Sequence, residues 1–587
     1  MPLASCEQCR SLFIARPVRQ FKELVMIKYR CLKSIGGLAM TMALCSGAYA
    51  AATDISTVPL NTYSAPAATD VKPNVMFILD DSGSMDWDFM PDWACASYST
   101  QNSNCGNGGQ DPSSARSEYL FRNSSYNGIY YNPAVYYKPP VAVDSSGVTN
   151  ITTYPSMRGI SVATGGDNSA TSVSPNWKAV KDDAYGVQSS ATTKSNLNTA
   201  PYFYTTVAGE YCTSPSLRVC TTASAPSSSY PFPAPLRWCD SSALTNCQAA
   251  FSSTFSWARS PSPSIATLTI GGTSTTNVSV GSIKVNGFEI LPQSSTGSTN
   301  TGTVATNIAA RINACQVSLT GNCTVRGYHA EASGNTVIIT APTATTDTPV
   351  LATPTGTMTI TSTAFSAGTI PGSVLLTTIS PSITSYPYPG KINKTDARTD
   401  CVGSTCSYAE EMTNYANWWT YYRTRMQMMK TSASNAFSTL DNATDISNRV
   451  SRFRLGYMSI NNNTSTDFLN LDEFSNSQKY NWYSKLTRAN PGNSTPLRQA
   501  LSAAGRLYAG KLNGSTYNGV TVVDPLQYSC QQNYAILSTD GFWNESSGFN
   551  KLDGNTNVGN QDATLPRPYY DGGSVQIQTR TSTLQSQ

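Results

Sequence analysis

The sequence carries a single histidine, His329, in 587 residues. That scarcity removes the material for a His-dependent catalytic triad or a multi-His zinc site. Charge is scarce as well: 13% of residues are ionised, and 39 Lys and Arg nearly balance 35 Asp and Glu. Such a balance offers no footprint for nucleic acid and no polybasic patch for a membrane surface. Neither G-x-S-x-G nor H-E-x-x-H occurs. A secreted hydrolase would therefore need a carboxylate pair around a sugar cleft, which nothing in the sequence suggests.

Long apolar runs are missing too, apart from one near the N-terminus that is shorter than the ~20 residues a membrane span needs. From Met26 the chain reads as a signal peptide (26–50). Lys28, Arg30 and Lys33 form a basic start, an apolar run follows, and Ala48-Tyr49-Ala50 precedes a cleavage point. Residues 1–25 read as an upstream extension, and their Cys6-x-x-Cys9 as incidental. Beyond the signal, ten of eleven cysteines fall into near neighbours: Cys95 and Cys105, Cys212 and Cys220, Cys239 and Cys247, Cys315 and Cys323, Cys401 and Cys406. Close spacing in an exported chain predicts local disulfides formed in an oxidising compartment. Neighbour pairing is the simplest of several connectivities, and Cys530 is left over.

What is abundant is Ser, Thr, Asn, Gly, Pro and Tyr, the composition of turns and short strands. Within it, KPNVMFILDD is a short continuous apolar run ending in turn residues, the mark of a strand buried on both faces. Residues 86–265 form a Ser/Tyr/Pro-rich insertion whose aromatics are expected to pack irregular loops. Residues 266–375 read as a small α+β module, with Val304, Ile308 and Ile312 on one helical face. A linker, 376–406, carries Cys401 and Cys406.

Periodicity returns at Ser407-Tyr408-Ala409-Glu410, a capping box. Behind it Met412, Tyr415, Trp419, Tyr422, Met426, Met429, Ala433, Phe437 and Leu440 predict one long amphipathic helix. FRLGYMSIN (453–461) reads as a strand, 495–510 as a helix, and NYAILSTDGFWN (533–544) as a second buried strand. Strand, helix, strand, helix, strand is the pattern of a doubly wound α/β sheet, whose ligand sites lie at the carboxyl ends of the strands.

Asp80-x-Ser82-x-Ser84 stands just past the first strand, a cluster of oxygen donors that suits a hard cation. The same residues also suit a turn whose hydroxyls cap backbone amides. Thr495 at a helix mouth and Asp540 at another strand end add two more oxygens. Asp81 could cap locally or tune the charge of the loop. DGNTNVGNQD (553–562) lacks the glycine a calcium loop needs and reads as a plain turn.

Taken together these stretches resemble the von Willebrand factor type A domain and its metal-ion-dependent adhesion site. The resemblance assigns Asp80, Ser82, Ser84, Thr495 and Asp540 to one divalent cation, Mg²⁺ first, Mn²⁺ or Ca²⁺ as alternatives. It splits the domain into 71–85 and 407–570, with everything between as insertion.

PNVMFILDDSGSMDWDFMPD, NGIYYNPAVYY, YPYPGKI, NYANWWTYYRTRMQMMK, FRLGYMSIN and YSCQQNYAILSTDGFWN together resemble the N-terminal half of the PilC/PilY family. That family implies an exported protein at a type IV pilus tip or the bacterial surface, acting in pilus assembly and adhesion. It implies pilins or minor pilins as partners, and host or abiotic ligands that offer a carboxylate. It also implies a C-terminal β-propeller, which the present sequence does not include. The tail, 571–587, is atypical for the family, and a fragment, a frameshifted product or half of a split gene are the expectations. A surface protein with a structural role only is the alternative function.

Overall fold

The computed structural model describes residues 71–90, 119–143, 151–158, 177–187, 193–199, 201–317, 319, 321–386, 398–438, 440, 451–461, 467–492, 494–541, 543–544, 549–558, 567–570 and 575–578. The N-terminal extension, the signal peptide, and Cys95 with Cys105 lie outside them. In chain order the elements used below begin with β1 (Asn74–Leu79), β2 (Tyr202–Ala208) and β3 (Glu210–Cys212). Next come β4 (Cys220–Thr222), β5 (Phe232–Pro233), β6 (Arg237–Cys239), β7 (Cys247–Gln248) and β8 (Trp257–Arg259). The module contributes β9 (Ile265–Gly271), α1 (Thr301–Val317), β10 (His329–Ser333), β11 (Thr336–Thr340) and β12 (Thr359–Ser362). Then follow β13 (Gly372–Thr378), α2 (Tyr408–Tyr421), α3 (Arg425–Ser438), β14 (Arg454–Ser459), β15 (Phe468–Glu473), α4 (Asn476–Arg488), α5 (Leu497–Tyr508) and β16 (Asn533–Ser538).

The fold is mixed α/β. β1 lies between β14 and β16, parallel to both, and β15 closes the β14 edge antiparallel, giving the order β15-β14-β1-β16. Alternation along β1 divides its side chains between two faces. Phe77 and Leu79 pack with Met426 and Phe437 of α3 and Trp482 and Leu486 of α4. Met76 and Ile78 pack with Leu497, Ala500, Ala504 and Leu507 of α5. Helices thus cover both faces of β1, which explains its unbroken apolar run. Gly456 in β14 is required by crowding, since a Cβ there would stand 2.9 Å from both the Leu471 and Met76 side chains.

Three features differ from the sequence expectation. The long helix from 407 is two helices, α2 and α3. Thr424 and Gln427 exchange bonds: the Thr424 N–H donates to Gln427 Oε1 and the Gln427 N–H to Thr424 Oγ1, both at 3.2 Å. This second capping box restarts the chain after Tyr422. Between β14 and α5 lie β15 and α4, which weak periodicity concealed. Finally, among the described residues β16 is an edge strand, not a buried one; Ile536 is 45% exposed.

α2 packs inside the insertion, where Met412, Tyr415, Trp418 and Tyr421 join Tyr130, Tyr131, Trp177 and Trp238 in one aromatic core. The module stands apart on its own core of Leu268, Ile270, Val304, Ile308 and Ile312. Its sheet runs β10-β11-β9-β12, and it enters and leaves side by side, Ile265 and Ser366 exchanging backbone bonds at 3.1 and 3.0 Å.

Among the described residues four disulfides are formed: Cys212–Cys220, Cys239–Cys247, Cys315–Cys323 and Cys401–Cys406. The first two belong to a tandem repeat. Glu210-Tyr211-Cys212 and Arg237-Trp238-Cys239 each open a hairpin closed by a cysteine eight residues on. Each hairpin places a leucine in the left-handed region, Leu217 at φ 50° and Leu244 at φ 54°. In both, that leucine's N–H bonds back three residues at 3.1 Å, to Ser214 and Ser241. Each leucine carbonyl then takes an arginine, Arg237 on Leu217 and Arg259 on Leu244. Both arginines also hold Glu210, which ties the two hairpins together.

Candidate functional site

The carboxyl ends of β1 and β16 meet at the oxygen-rich loop. Asp80 follows Leu79 directly, and its N–H donates to the Ser538 carbonyl at 3.2 Å, holding the loop to the neighbouring strand. Asp80 Oδ1 accepts from the Ser82 N–H at 2.9 Å, a turn that brings Ser82 and Ser84 to the same side. The two hydroxyls lie 3.1 Å apart, and Ser84 Oγ donates to Asp540 Oδ1 at 3.2 Å. A 3-10 turn over Gly83–Asp86 carries the chain on, with Met85 buried beneath it.

Asp80 is fully buried, yet among the described residues its Oδ2 has no hydrogen-bond partner. A carboxylate oxygen in that position bears its full desolvation cost. Asp540 is different. Its Oδ2 accepts from Arg425 Nη1 at 2.7 Å, and the pair is almost enclosed, with side chains 5% and 2% exposed. Arg425 was not among the residues the sequence pointed to. Its partner lies 115 residues away, and the local signal that places it is the Thr424-x-x-Gln427 cap.

Four of the five sequence-predicted residues, Asp80, Ser82, Ser84 and Asp540, are thus joined through hydrogen bonds. Thr495 is buried just before α5, and its backbone is bonded to Asn544: its N–H donates to Asn544 Oδ1 at 2.6 Å, and the Asn544 N–H donates back at 3.3 Å. The chain ahead of Thr495 does touch the loop, where the Gly492 N–H donates to the Asp81 carbonyl at 2.9 Å. Asp81 itself turns away to Asn461, whose side-chain and backbone N–H groups bond its Oδ1 at 2.8 and 3.2 Å. Burial pushes the Asp81 carboxyl up to about 6 despite these donors.

Chemically, the loop offers oxygen donors only. Among the described residues, no three His, Cys, Asp or Glu side chains converge as a metal cluster. A cation here would rest on two carboxylates and on hydroxyls, the donor set of a hard divalent ion. His329 lies in the module, its ring tilted against Tyr202 with its Nε2 3.2 Å from the phenol oxygen, and has no part in the loop. Among the described residues no helix is long and apolar enough to cross a membrane.

Comparison with known proteins gives one consistent answer. A stretch of 200 residues is 32% identical to the type IV pilus biogenesis factor PilY1 of Pseudomonas aeruginosa strain PAO1, covering 33% of this chain and 16% of that protein. The PilY1 of strain PAK is 37% identical over 179 residues, 30% of this chain and 14% of its own length. The PilY1 of strain UCBPP-PA14 is 36% identical over 159 residues, covering 26% and 13%. The chain therefore matches about a sixth or less of the length of these relatives. No family model matches it.

Proposed function

Taking as premise that the chain is a PilY1/PilC-like type IV pilus factor, we propose that it serves pilus biogenesis and adhesion through a divalent-cation site at the ends of β1 and β16. It works by binding rather than turnover, outside the cell and associated with the pilus. Its partners in this reading are pilins or minor pilins, and surface ligands that offer a carboxylate.

One observation carries the metal reading: the buried, unpartnered Asp80 Oδ2 beside two facing hydroxyls. A lone pair kept out of water and out of hydrogen bonding has a use if a cation is its partner. The donor set fits Mg²⁺ first, with Mn²⁺ and Ca²⁺ acceptable to the same oxygens. Asp80, Ser82 and Ser84 would hold the ion from the first loop and Asp540 from the second strand end, with Thr495 reaching it from the mouth of α5. A mainly parallel sheet with helices on both faces and donors at the strand ends is also what a type A domain would present. The bound ion would supply an open coordination position for a partner's carboxylate. The protein's own part is to fix the loop: the Asp80–Ser82 turn sets its curvature, the Ser84–Asp540 bond joins two strands, and burial excludes competing water.

Calorimetric titration of the full chain with Mg²⁺, Mn²⁺ and Ca²⁺ tests this. Saturable binding is expected, lost in Asp80→Ala and weakened less in Thr495→Ala, because a neutral hydroxyl contributes less than a carboxylate. Equal affinity in wild type and Asp80→Ala would reject the site.

A further inference from the structure

The two carboxylates of the loop are in opposite states. Asp80 has an oxygen with no partner, whereas both oxygens of Asp540 are occupied, one by Ser84 and one by Arg425. Arg425 is held from several sides. Its Nε donates to the Phe89 carbonyl at 2.7 Å, and its backbone N–H donates to the Trp87 carbonyl at 3.0 Å. Its guanidinium lies 4.9 Å from the Trp87 ring and 5.2 Å from Phe89, and those rings stack at 5.0 Å. Trp87 and Phe89 belong to the aromatic core of the insertion, whereas Met426, the next residue of α3, belongs to the sheet core. Arg425 therefore stands where the two cores join, with its charge on a residue of the loop.

Building on the divalent-cation reading above, we propose that Arg425 is a resident counter-ion that competes with a divalent cation for Asp540, and so couples occupancy of the loop to the Trp87–Phe89 edge of the insertion. A guanidinium and a metal ion are alternative partners for one carboxylate oxygen, and like charges repel strongly in a site this enclosed. While the arginine holds Asp540, the loop has one open carboxylate and binds a cation weakly. A cation that takes Asp540 releases the guanidinium from its ion pair. The guanidinium also donates to the Phe89 carbonyl and lies against the Trp87 and Phe89 rings, so the change is felt in the insertion. Affinity of the loop and packing of that edge then become linked quantities, each shifting the other by the same factor.

The experiment titrates Mn²⁺ into the full chain of wild type, Arg425→Gln, Arg425→Lys and Asp80→Ala, by calorimetry and by tryptophan fluorescence. Trp87→Phe isolates the contribution of Trp87. Near-ultraviolet circular dichroism checks that each variant is folded. Arg425→Gln is expected to bind Mn²⁺ at least tenfold more tightly, and Arg425→Lys, which keeps the charge, within about threefold of wild type. Wild type should show a Trp87-dependent fluorescence change on saturation, absent in Arg425→Gln. Unchanged or weaker binding by folded Arg425→Gln overturns the inference. So does saturation of wild type without any Trp87 signal, an arm that stands even if the glutamine variant does not fold. If wild type binds in an Asp80-dependent way and Arg425→Gln gains nothing, only the counter-ion role falls. If wild type does not bind Mn²⁺ at all, the cation site falls and this role with it.

Discussion

The sheet and the insertion solve the same problem with different chemistry. Around β1 the backbone is satisfied by strand ladders, so the side chains can be plainly apolar: Met76, Phe77, Ile78 and Leu79. In the insertion the described residues between 129 and 182 run with few ladders, and α2 supplies partners for their backbone. Asn414 Oδ1 accepts from the Tyr137 N–H and its Nδ2 donates to the Val135 carbonyl, both at 2.8 Å. Asn417 Oδ1 accepts from the Met157 N–H at 2.7 Å. Trp418 Nε1 donates to the Ile129 carbonyl, Thr420 Oγ1 to Lys181 and Tyr421 Oη to Pro155, each at 2.8 Å. Irregular buried backbone needs such donors and acceptors, and Tyr, Trp and Asn provide them along with packing surface. The composition of NYANWWTYY follows from that task.

The sharpest way to break this contrast is the buried charge cluster that holds α2 to the insertion's loops. Arg398, with no exposed surface, bonds Asp400 at 2.9 Å and Glu411 at 3.1 Å, and Tyr131 donates to Glu411 at 2.7 Å. Arg398→Met leaves these carboxylates buried without their cation. It is expected to lower insertion stability by about 3–5 kcal/mol. Denaturant unfolding followed by tryptophan fluorescence should show that transition shift while the sheet's transition stays in place. A uniform shift of all transitions would mean the two cores are one cooperative unit.

Lys430 sharpens the contrast from the other side. It lies fully buried on α3, its ammonium donating to the Thr487 carbonyl at 3.0 Å, and burial lowers its pKa to about 8. Below pH 8 it is charged in both the folded and the unfolded chain, and the fold bears the desolvation cost. Between about 8 and its ordinary value of 10.5, the folded chain has released the proton and the unfolded chain has not. The contribution of Lys430 to stability should therefore rise with pH across that window, by roughly 3 kcal/mol in all, read as the difference between wild type and Lys430→Met. Lys430→Met should abolish the rise; a variant with an unchanged pH profile would assign the rise elsewhere.

The smallest effect compares the two capping boxes. Ser407→Ala removes the acceptor for the Glu410 N–H at the start of α2. It should cost about 1 kcal/mol, confined to the insertion. Thr424→Ala should cost about as much but also disturb Arg425, so it alone should alter cation binding. Equal binding by both variants would separate the cap from the site.

Much of this was legible in the sequence. The run at β1, the strand at β14, the module's helical face and the box at Ser407 all followed from period and capping chemistry. The Thr424-x-x-Gln427 cap was equally visible but hidden inside an apolar stripe that continues across the break. β15 and α4 escaped because few of their buried residues are apolar: Phe468 and Leu471 in one, and Trp482, Tyr483 and Leu486 in the other, where the polar Gln478 and Lys479 complete the buried stripe. The tandem hairpins could have been found from two Cys-x7-Cys units with an aromatic before each first cysteine. Arg425 could not. Its ion pair exists only after strands far apart in the chain have come together.

The position of β1 also orders events in time. Asn74 is bonded to Arg454 and to Asn533, partners 380 and 459 residues further along. A chain appearing N-terminus first holds its central strand without either neighbour until nearly all of the described residues have emerged. By contrast, the four disulfides span five to eight residues, and the module closes within itself. These local units can form early, at little loop-closure cost, while the sheet must wait for its most distant contacts. The oxygen loop, made of residues from both ends of that delay, would be among the last parts of the molecule to assemble.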